Sequence, residues 1–280
     1  MNMRYLLAAA ALGLGQPCFA QTEGPQPEPF AGRPSDRSEA GWSVTIGLAP
    51  VLSPAWQGSR DMALSIFPDL RVNYQDVIFA SIPEGLGWNA VNTNGWKAGP
   101  LAKVRFGRDE DRGGSPFLIT GGSDGLRGMG NVAAAAELGG FVEKRIGPWR
   151  GRLEVRRGFG GHEAVIADGA ISYQTRSGRT IINVGPRATV VSKPYMDSYF
   201  GIDPIQSQRS GLGAYSPKGG LLSYGVVGSA LRPLNRQSAI TLFTSLDRLG
   251  SEAGHSPLVR ERGRRVQFTL GIGYGFRFNL

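Results

Sequence analysis

The chain has 280 residues, a formal net charge of +9, 42 glycines, 18 prolines and a single cysteine, Cys18. One cysteine excludes a disulfide framework. Past the first twenty residues no apolar run approaches the roughly 20 residues that a membrane helix needs, which excludes a helical membrane protein; what remains is a glycine-rich chain of short alternating segments, the mark of an all-β fold.

Residues 1–20 carry Arg4, an apolar run from Tyr5 to Leu14, and Ala20 before Gln21. This reads as a cleavable secretory signal. A lipid anchor at Cys18 is disfavoured because Gly15, Gln16 and Pro17 are the wrong preceding context. Residues 21–40, with Pro25, Pro27, Pro29 and Pro34, lack periodicity and read as a flexible periplasmic tail. Residues 41–280 read as one barrel domain.

Alternation across that domain predicts about twelve strands, with about ten as the competing count because the third and fourth are short. They fall near 41–52, 63–74, 76–82, 85–91, 95–108, 130–145, 148–159, 163–175, 178–191, 219–232, 236–247 and 266–280. The last is the plainest: from Val266 to Leu280 an apolar side chain occupies every even position. Successive side chains of a strand point to opposite faces, so one face suits lipid and the other an interior. The fold expected is therefore a transmembrane, antiparallel, up-and-down β-barrel.

The connections give an independent reading. Bacterial outer-membrane barrels use an even number of strands, with short periplasmic turns and long external loops. The long connections, 53–62, 109–129, 192–218 and 248–265, are all odd-numbered, whereas the even ones carry turn residues such as Gln75-Asp76, Asn92 to Asn94 and Gly147-Pro148. Both termini then lie in the periplasm. Trp42, Trp96 and Trp149 open upward strands, and Tyr74, Tyr173 and Phe278 close downward ones, as a periplasmic aromatic belt requires. Phe106 and Phe159 would mark the outer belt.

The same alternation sends Lys97, Lys103, Arg105, Glu137, Glu143, Arg150, Arg152, Glu154 and Arg156 to the lumen. Two readings stay open: a basic channel for anionic solutes, or a lumen filled by internal ion pairs. The second is favoured, since small barrels fill with side chains. Export and barrel patterning remove nucleic acid as a partner despite the positive charge. Loop arginines such as Arg127, Arg209, Arg260, Arg262, Arg264 and Arg265 could instead meet outer-membrane lipid and lipopolysaccharide phosphates.

Three motifs invite chemistry. Gly121-Gly122-Ser123-Asp124-Gly125 matches G-x-S-x-G, and with His162 or His255 it would suggest a rim hydrolase, but the pattern needs a strand-to-helix elbow. Asp109-Glu110-Asp111 lacks the spacing of a calcium loop. Gly158 to Gly161 precedes a strand and not a helix, so it reads as a tight turn rather than a phosphate cradle. No catalytic residue, metal site or cofactor is expected.

Several loop segments resemble the MltA-interacting protein (MipA/OmpV) family of outer-membrane proteins. They are Ala49-Pro50 through Asp61, Phe106 to Asp111, Leu126 to Gly130, Tyr195 to Ile202, Ser210 to Tyr215 and Ser256 to Arg260. Asn131 stands where the family pattern has an acidic residue, and Leu280 where it usually ends in an aromatic. The resemblance implies a non-enzymatic barrel that links the outer membrane to a lytic transglycosylase and a murein synthase; other members are tied to adhesion, osmotic response or antibiotic permeability, which keeps a small-solute or antibiotic-permeable channel as the alternative. Tyr274, Phe276, Phe278 and Leu280 would form the signal read by the barrel-assembly machinery.

Overall fold

The computed structural model describes residues 41–111 and 115–280. The expected signal and periplasmic tail lie outside them. The strands are β1 (Trp42–Pro54), β2 (Met62–Tyr74), β3 (Ile78–Ser81), β4 (Gly85–Trp88), β5 (Val91–Thr93), β6 (Trp96–Arg105), β7 (Leu118–Gly121), β8 (Ala135–Ile146), β9 (Trp149–Gly160), β10 (Val165–Ser177), β11 (Thr180–Val191), β12 (Gly220–Pro233), β13 (Ser238–Leu249) and β14 (Val266–Asn279). Twelve of them form a closed antiparallel ring; β5 lies off it on β6, and β7 off it on β2. Closure comes from β1, which pairs with β2 on one side and with β14 on the other, Ser43 opposite Asn279 and Leu52 opposite Leu270. No sheet edge is left at the seam, which is what lets a β-structure cross hydrocarbon.

The terminal strand shows how sequence makes the wall. Val266, Leu270, Ile272, Tyr274, Phe278 and Leu280 are exposed on the outer face, whereas Gln267, Gly271, Gly273 and Gly275 are buried inside. Gly271 is required by a close approach: a Cβ there would run into the ring of lumen-facing Phe243. At the periplasmic end the aromatic belt pairs across strands, Trp42 with Tyr74 at 4.8 Å and Trp149 with Tyr173 at 5.0 Å between ring centres. Trp96 packs beneath the Lys144 ammonium at 4.7 Å.

The short turns are built as hairpin turns. Gln75 and Asp76 both adopt positive φ (48° and 56°), as do Asn94 and Gly95 (50° and 75°). Two consecutive left-handed residues give the turn twist that matches paired strands. Asp76 is held there because its carboxylate receives Lys97 and Asn92.

Some expected boundaries move. The third and fourth strands contract to four residues each, and the sixth begins at Ala135 rather than near 130. Residues before Ala135 leave the wall to join the loops, with Val132 exchanging backbone hydrogen bonds with Arg108 at 2.7 and 2.8 Å. The long external connections are not irregular either. They contain a 3-10 turn at Asp124–Leu126 and four helices, α1 (Lys193–Phe200), α2 (Pro204–Ser210), α3 (Ser251–His255) and α4 (Pro257–Arg262).

Candidate functional site: a paired lumen beneath an apolar plug

Strands β6, β8, β9, β10 and β11 each contribute charged side chains to the lumen, and they are paired. Lys103 Nζ lies 2.8 Å from Glu154, Arg105 2.5 Å from Glu137, and Arg150 2.8 Å from Glu143. Arg152 bridges Glu143 and Glu154 at 3.2 and 2.8 Å. Lys97 sits lower in the barrel, 2.6 Å from Asp76. Strand register places Lys103 opposite Glu137, yet Lys103 reaches past it to Glu154 and leaves Glu137 to Arg105. Diagonal pairing of this kind ties three strands together rather than two.

Arg156 is the centre. Glu154 lies directly opposite Asp168 in the β9–β10 register, a like-charge juxtaposition that would repel. Arg156 contacts both, and also Glu137 at 2.8 Å. His162 Nε2 adds a contact to Glu137 at 3.2 Å. Beyond this cluster Arg187 and Asp247 form a two-point pair at 2.8 and 2.5 Å between β11 and β13. Arg71 on β2 meets Asp69 at 3.1 Å and Glu84 of the β3–β4 turn at 3.5 Å.

Burial shows what these charges do. Glu137 is 1% exposed, Arg156 3% and Glu154 5%. Side chains lining a wide aqueous pore would be wet; these are in contact with each other. A cavity of about 280 Å³ remains within the lattice, with Arg150, Arg187 and Asn183 among its walls.

Above the charges the loops fold inward into an apolar plug. Trp56 from the first loop, Leu126 and Met129 from the fifth connection, Tyr195, Met196, Tyr199 and Phe200 of α1, and Leu258 and Val259 of α4 form one buried cluster. Polar groups are satisfied locally. Arg108 Nη1 donates to the Tyr199 carbonyl at 2.7 Å, and Ser256 Oγ to that of Phe200 at 2.7 Å. Arg262 donates to the carbonyls of Gly125, Arg127 and Ser210. Tyr195 links plug to lumen, since its hydroxyl donates to Gln57 while its ring lies under the Arg105 guanidinium.

The segments singled out for family resemblance converge here. Glu110 accepts from the amides of Gly128 and Gly130 at 3.0 and 2.9 Å and pairs with Arg209 at 3.1 Å. The Gly130 amide, with help from Arg209, holds the Glu110 carboxyl below its ordinary range. Asn131 accepts the Glu110 amide at 2.8 Å, a role that a carboxylate would also fill. Glu110 is thus a clasp between two loops.

The remaining motifs take structural places. Ser123 caps the 3-10 turn: its hydroxyl accepts from Gly125 at 3.0 Å and from the Trp56 indole at 3.3 Å, and donates to Asp61 at 2.6 Å. Those contacts include no histidine. His162 is buried against Tyr195 and Tyr199, and a Cβ at Gly158 would meet its ring. Among the described residues no group of three acidic, histidine or cysteine side chains is placed to hold a metal ion. Of the loop arginines, Arg262 and Arg265 donate to loop carbonyls, Arg209 meets Glu110 and Arg264 reaches the Met62 sulfur.

Residues not anticipated from sequence include Asp69, Arg71, Asp168, Arg187 and Asp247. The signal was present for several: Asp168, Arg187 and Asp247 have the parity of the buried positions on their strands. Helix α2 was signalled too, by Asp203 and Pro204 with Gln206 completing a reciprocal cap.

The model of the family described as "MltA-interacting protein MipA" matches residues 46–278. The chain belongs to this family. It is an outer-membrane β-barrel protein. No curated protein matches it by sequence. Among solved structures it is similar to an outer membrane channel from Pseudomonas putida, at 12% identity over 89% of this chain and 100% of that one, with a TM-score of 0.48. It is also similar to an anion-selective porin from Comamonas acidovorans, at 9% identity over 85% and 98% of the two chains, with a TM-score of 0.30. At these scores neither likeness bears on mechanism.

Proposed function

We propose that this MipA-family barrel is a non-enzymatic scaffold that couples the outer membrane to murein-remodelling enzymes, a lytic transglycosylase and a murein synthase, through its periplasmic face. The observation that carries this reading is the state of the interior: buried ion pairs and an apolar plug leave the rims as the surfaces available to a protein partner. The periplasmic rim has a distinct character. Arg145, Arg176, Arg179, Arg232 and Arg236 are exposed at the β8–β9, β10–β11 and β12–β13 turns, and those turns contain no carboxylate. Three turns of one sign on that rim steer acidic partners and reject basic ones.

The test is pull-down of the full-length protein from crosslinked envelopes. Murein enzymes should be enriched relative to an unrelated barrel, and the triple substitution Arg176→Glu, Arg179→Glu, Arg236→Glu should abolish the enrichment. No enrichment with the wild type would sink the reading.

A second reading, a solute or antibiotic channel, draws support from the lumen cavity and the cations Lys103, Arg105, Arg150 and Arg152 on its wall. Planar-bilayer recording separates the two. Export by a cleaved signal at residues 1–20 and assembly through Tyr274, Phe276, Phe278 and Leu280 complete the proposal. Deletion of Phe278 to Leu280 should block formation of the heat-modifiable barrel, and normal folding of the truncation would count against that assembly role.

A further inference from the structure

The barrel wall is not uniform. β3 meets β2 only at Arg71–Tyr74, and β4 meets β6 only at Leu101 and Ala102. Toward the outer end β2 continues as Met62 to Leu70 and β6 as Lys103 to Arg105, and among the described residues no strand joins the two there. Two missing strands leave roughly three interstrand spacings, about 14 Å. β7 covers only the top, pairing with Ala63, Leu64 and Ser65, and the Phe117 carbonyl takes the Ile66 amide at 3.0 Å. Pro68 lies in the uncovered stretch, where the absence of an N–H leaves no donor unsatisfied.

Aromatic rings fill this window in place of strands. Phe117 packs edge-on against Phe67 at 5.3 Å and Phe106 at 6.4 Å. Side chains can move without breaking a hydrogen-bond ladder, whereas paired strands cannot. The lumen cavity extends to the window: Phe67, Ile82, Pro83, Val104 and Phe106 form that side of its wall. Val104 is 63% exposed on the lipid-facing surface. Its sequence neighbours Lys103 and Arg105 point the other way, into the cavity, where cations outnumber the carboxylates Glu137, Glu154 and Asp168 six to three. One cavity therefore has an apolar wall on the membrane side, closed by movable rings, and a positively biased interior.

We propose that the window between β2 and β6 is a lateral portal, and that a single-chain amphiphile with an anionic head enters the cavity through it from the membrane. The head meets Lys103 and Arg105, and the tail lies among Phe67, Phe106 and Phe117. A guanidinium carries five N–H donors, so one that already holds a carboxylate can also receive a second anion. At about 280 Å³ the cavity lies near the lower end of the range for small-ligand sites, roughly 300–1,000 Å³. One alkyl chain fits that space and a two-chain phospholipid does not. Carboxylate-headed and phosphate-headed single chains share the required chemistry.

The full-length protein in phosphatidylcholine vesicles is photolabelled with dodecanoate carrying a diazirine at its tail, and the adducts are mapped by mass spectrometry. Labelling at Phe67, Phe106 and Phe117 should exceed that at the lipid-facing residues Ile171 and Leu242 by about tenfold. The methyl ester and the dodecyl trimethylammonium analogue should lose the excess. Competition by lysophosphatidate would extend the site to phosphate-headed chains, and failure to compete would confine it to carboxylates. Val104→Trp narrows the opening from the lipid side without touching the ion pairs, and should reduce window labelling while the barrel still assembles. Even labelling around the belt, or equal labelling by the ester and the ammonium analogue, would overturn the proposal.

Discussion

The barrel is closed in two ways that differ in chemistry. In the middle of the lumen, charge meets charge, and the residues involved sit on strands whose register they reinforce. At the outer end, ring meets ring, and the residues come from loops that are far apart in the chain. Breaking a buried ion pair leaves its partner stranded, so the lumen lattice penalises wrong strand pairing more than it adds net stability. The plug gains from apolar burial instead. The loop segments that carry the family resemblance are those that build the plug, whereas the lumen charges follow from the two-residue period of any barrel strand.

Four substitutions or conditions sharpen that contrast. The largest effect is expected from Arg156→Met, which leaves Glu137, Glu154 and Asp168 facing one another without their shared cation; removing one partner of a buried pair costs about 3–5 kcal/mol. Urea unfolding of the detergent-solubilised barrel should show it as a global loss. Trp56→Ala should cost about 3 kcal/mol through its cavity, but the loss should stay in the plug: hydrogen exchange should rise in α1 and α4 while β8 to β11 remain protected. Exchange rising equally in the wall would erase the distinction between the two regions.

Smaller effects test the polar fittings of the plug. Ser123→Ala removes a cap and should cost about 1 kcal/mol, visible as faster exchange at Gly125 and no wider. The Glu110 clasp should depend on pH. A carboxyl lowered on folding stabilises fully above its ordinary value of 4.5 and loses that contribution as pH falls through the lower folded value. Proteolysis of the external loops should therefore accelerate below pH 4.5 in the wild type, and Glu110→Gln should show the faster rate at neutral pH.

The wall was legible because a strand has a period of two and the chain keeps that period wherever lipid is the outer solvent. Trp42, Trp96 and Trp149 opened strands, and loop parity put both termini on one side. The plug was not legible as structure. Its helices are five to eight residues long, too short to display a helical period, and Trp56, Met129 and Tyr199 meet only through tertiary packing. The short β3 and β4 were visible in outline, but not the window they leave, because its filling by Phe117 depends on a non-local pairing between β7 and β2. The lumen pairing was readable in kind but not in detail: alternation sends Lys103 and Glu154 inward, while the diagonal choice of partner depends on side-chain reach.

Single-channel recording across a planar bilayer tests the closed interior most directly. The wild-type protein should give no discrete openings, and a variant with Trp56→Ala and Tyr199→Ala, folded by heat modifiability, should stay closed as well because the charges beneath the plug remain paired. Stable, ion-selective steps from the wild type would contradict a lumen shut by paired charges and an apolar plug.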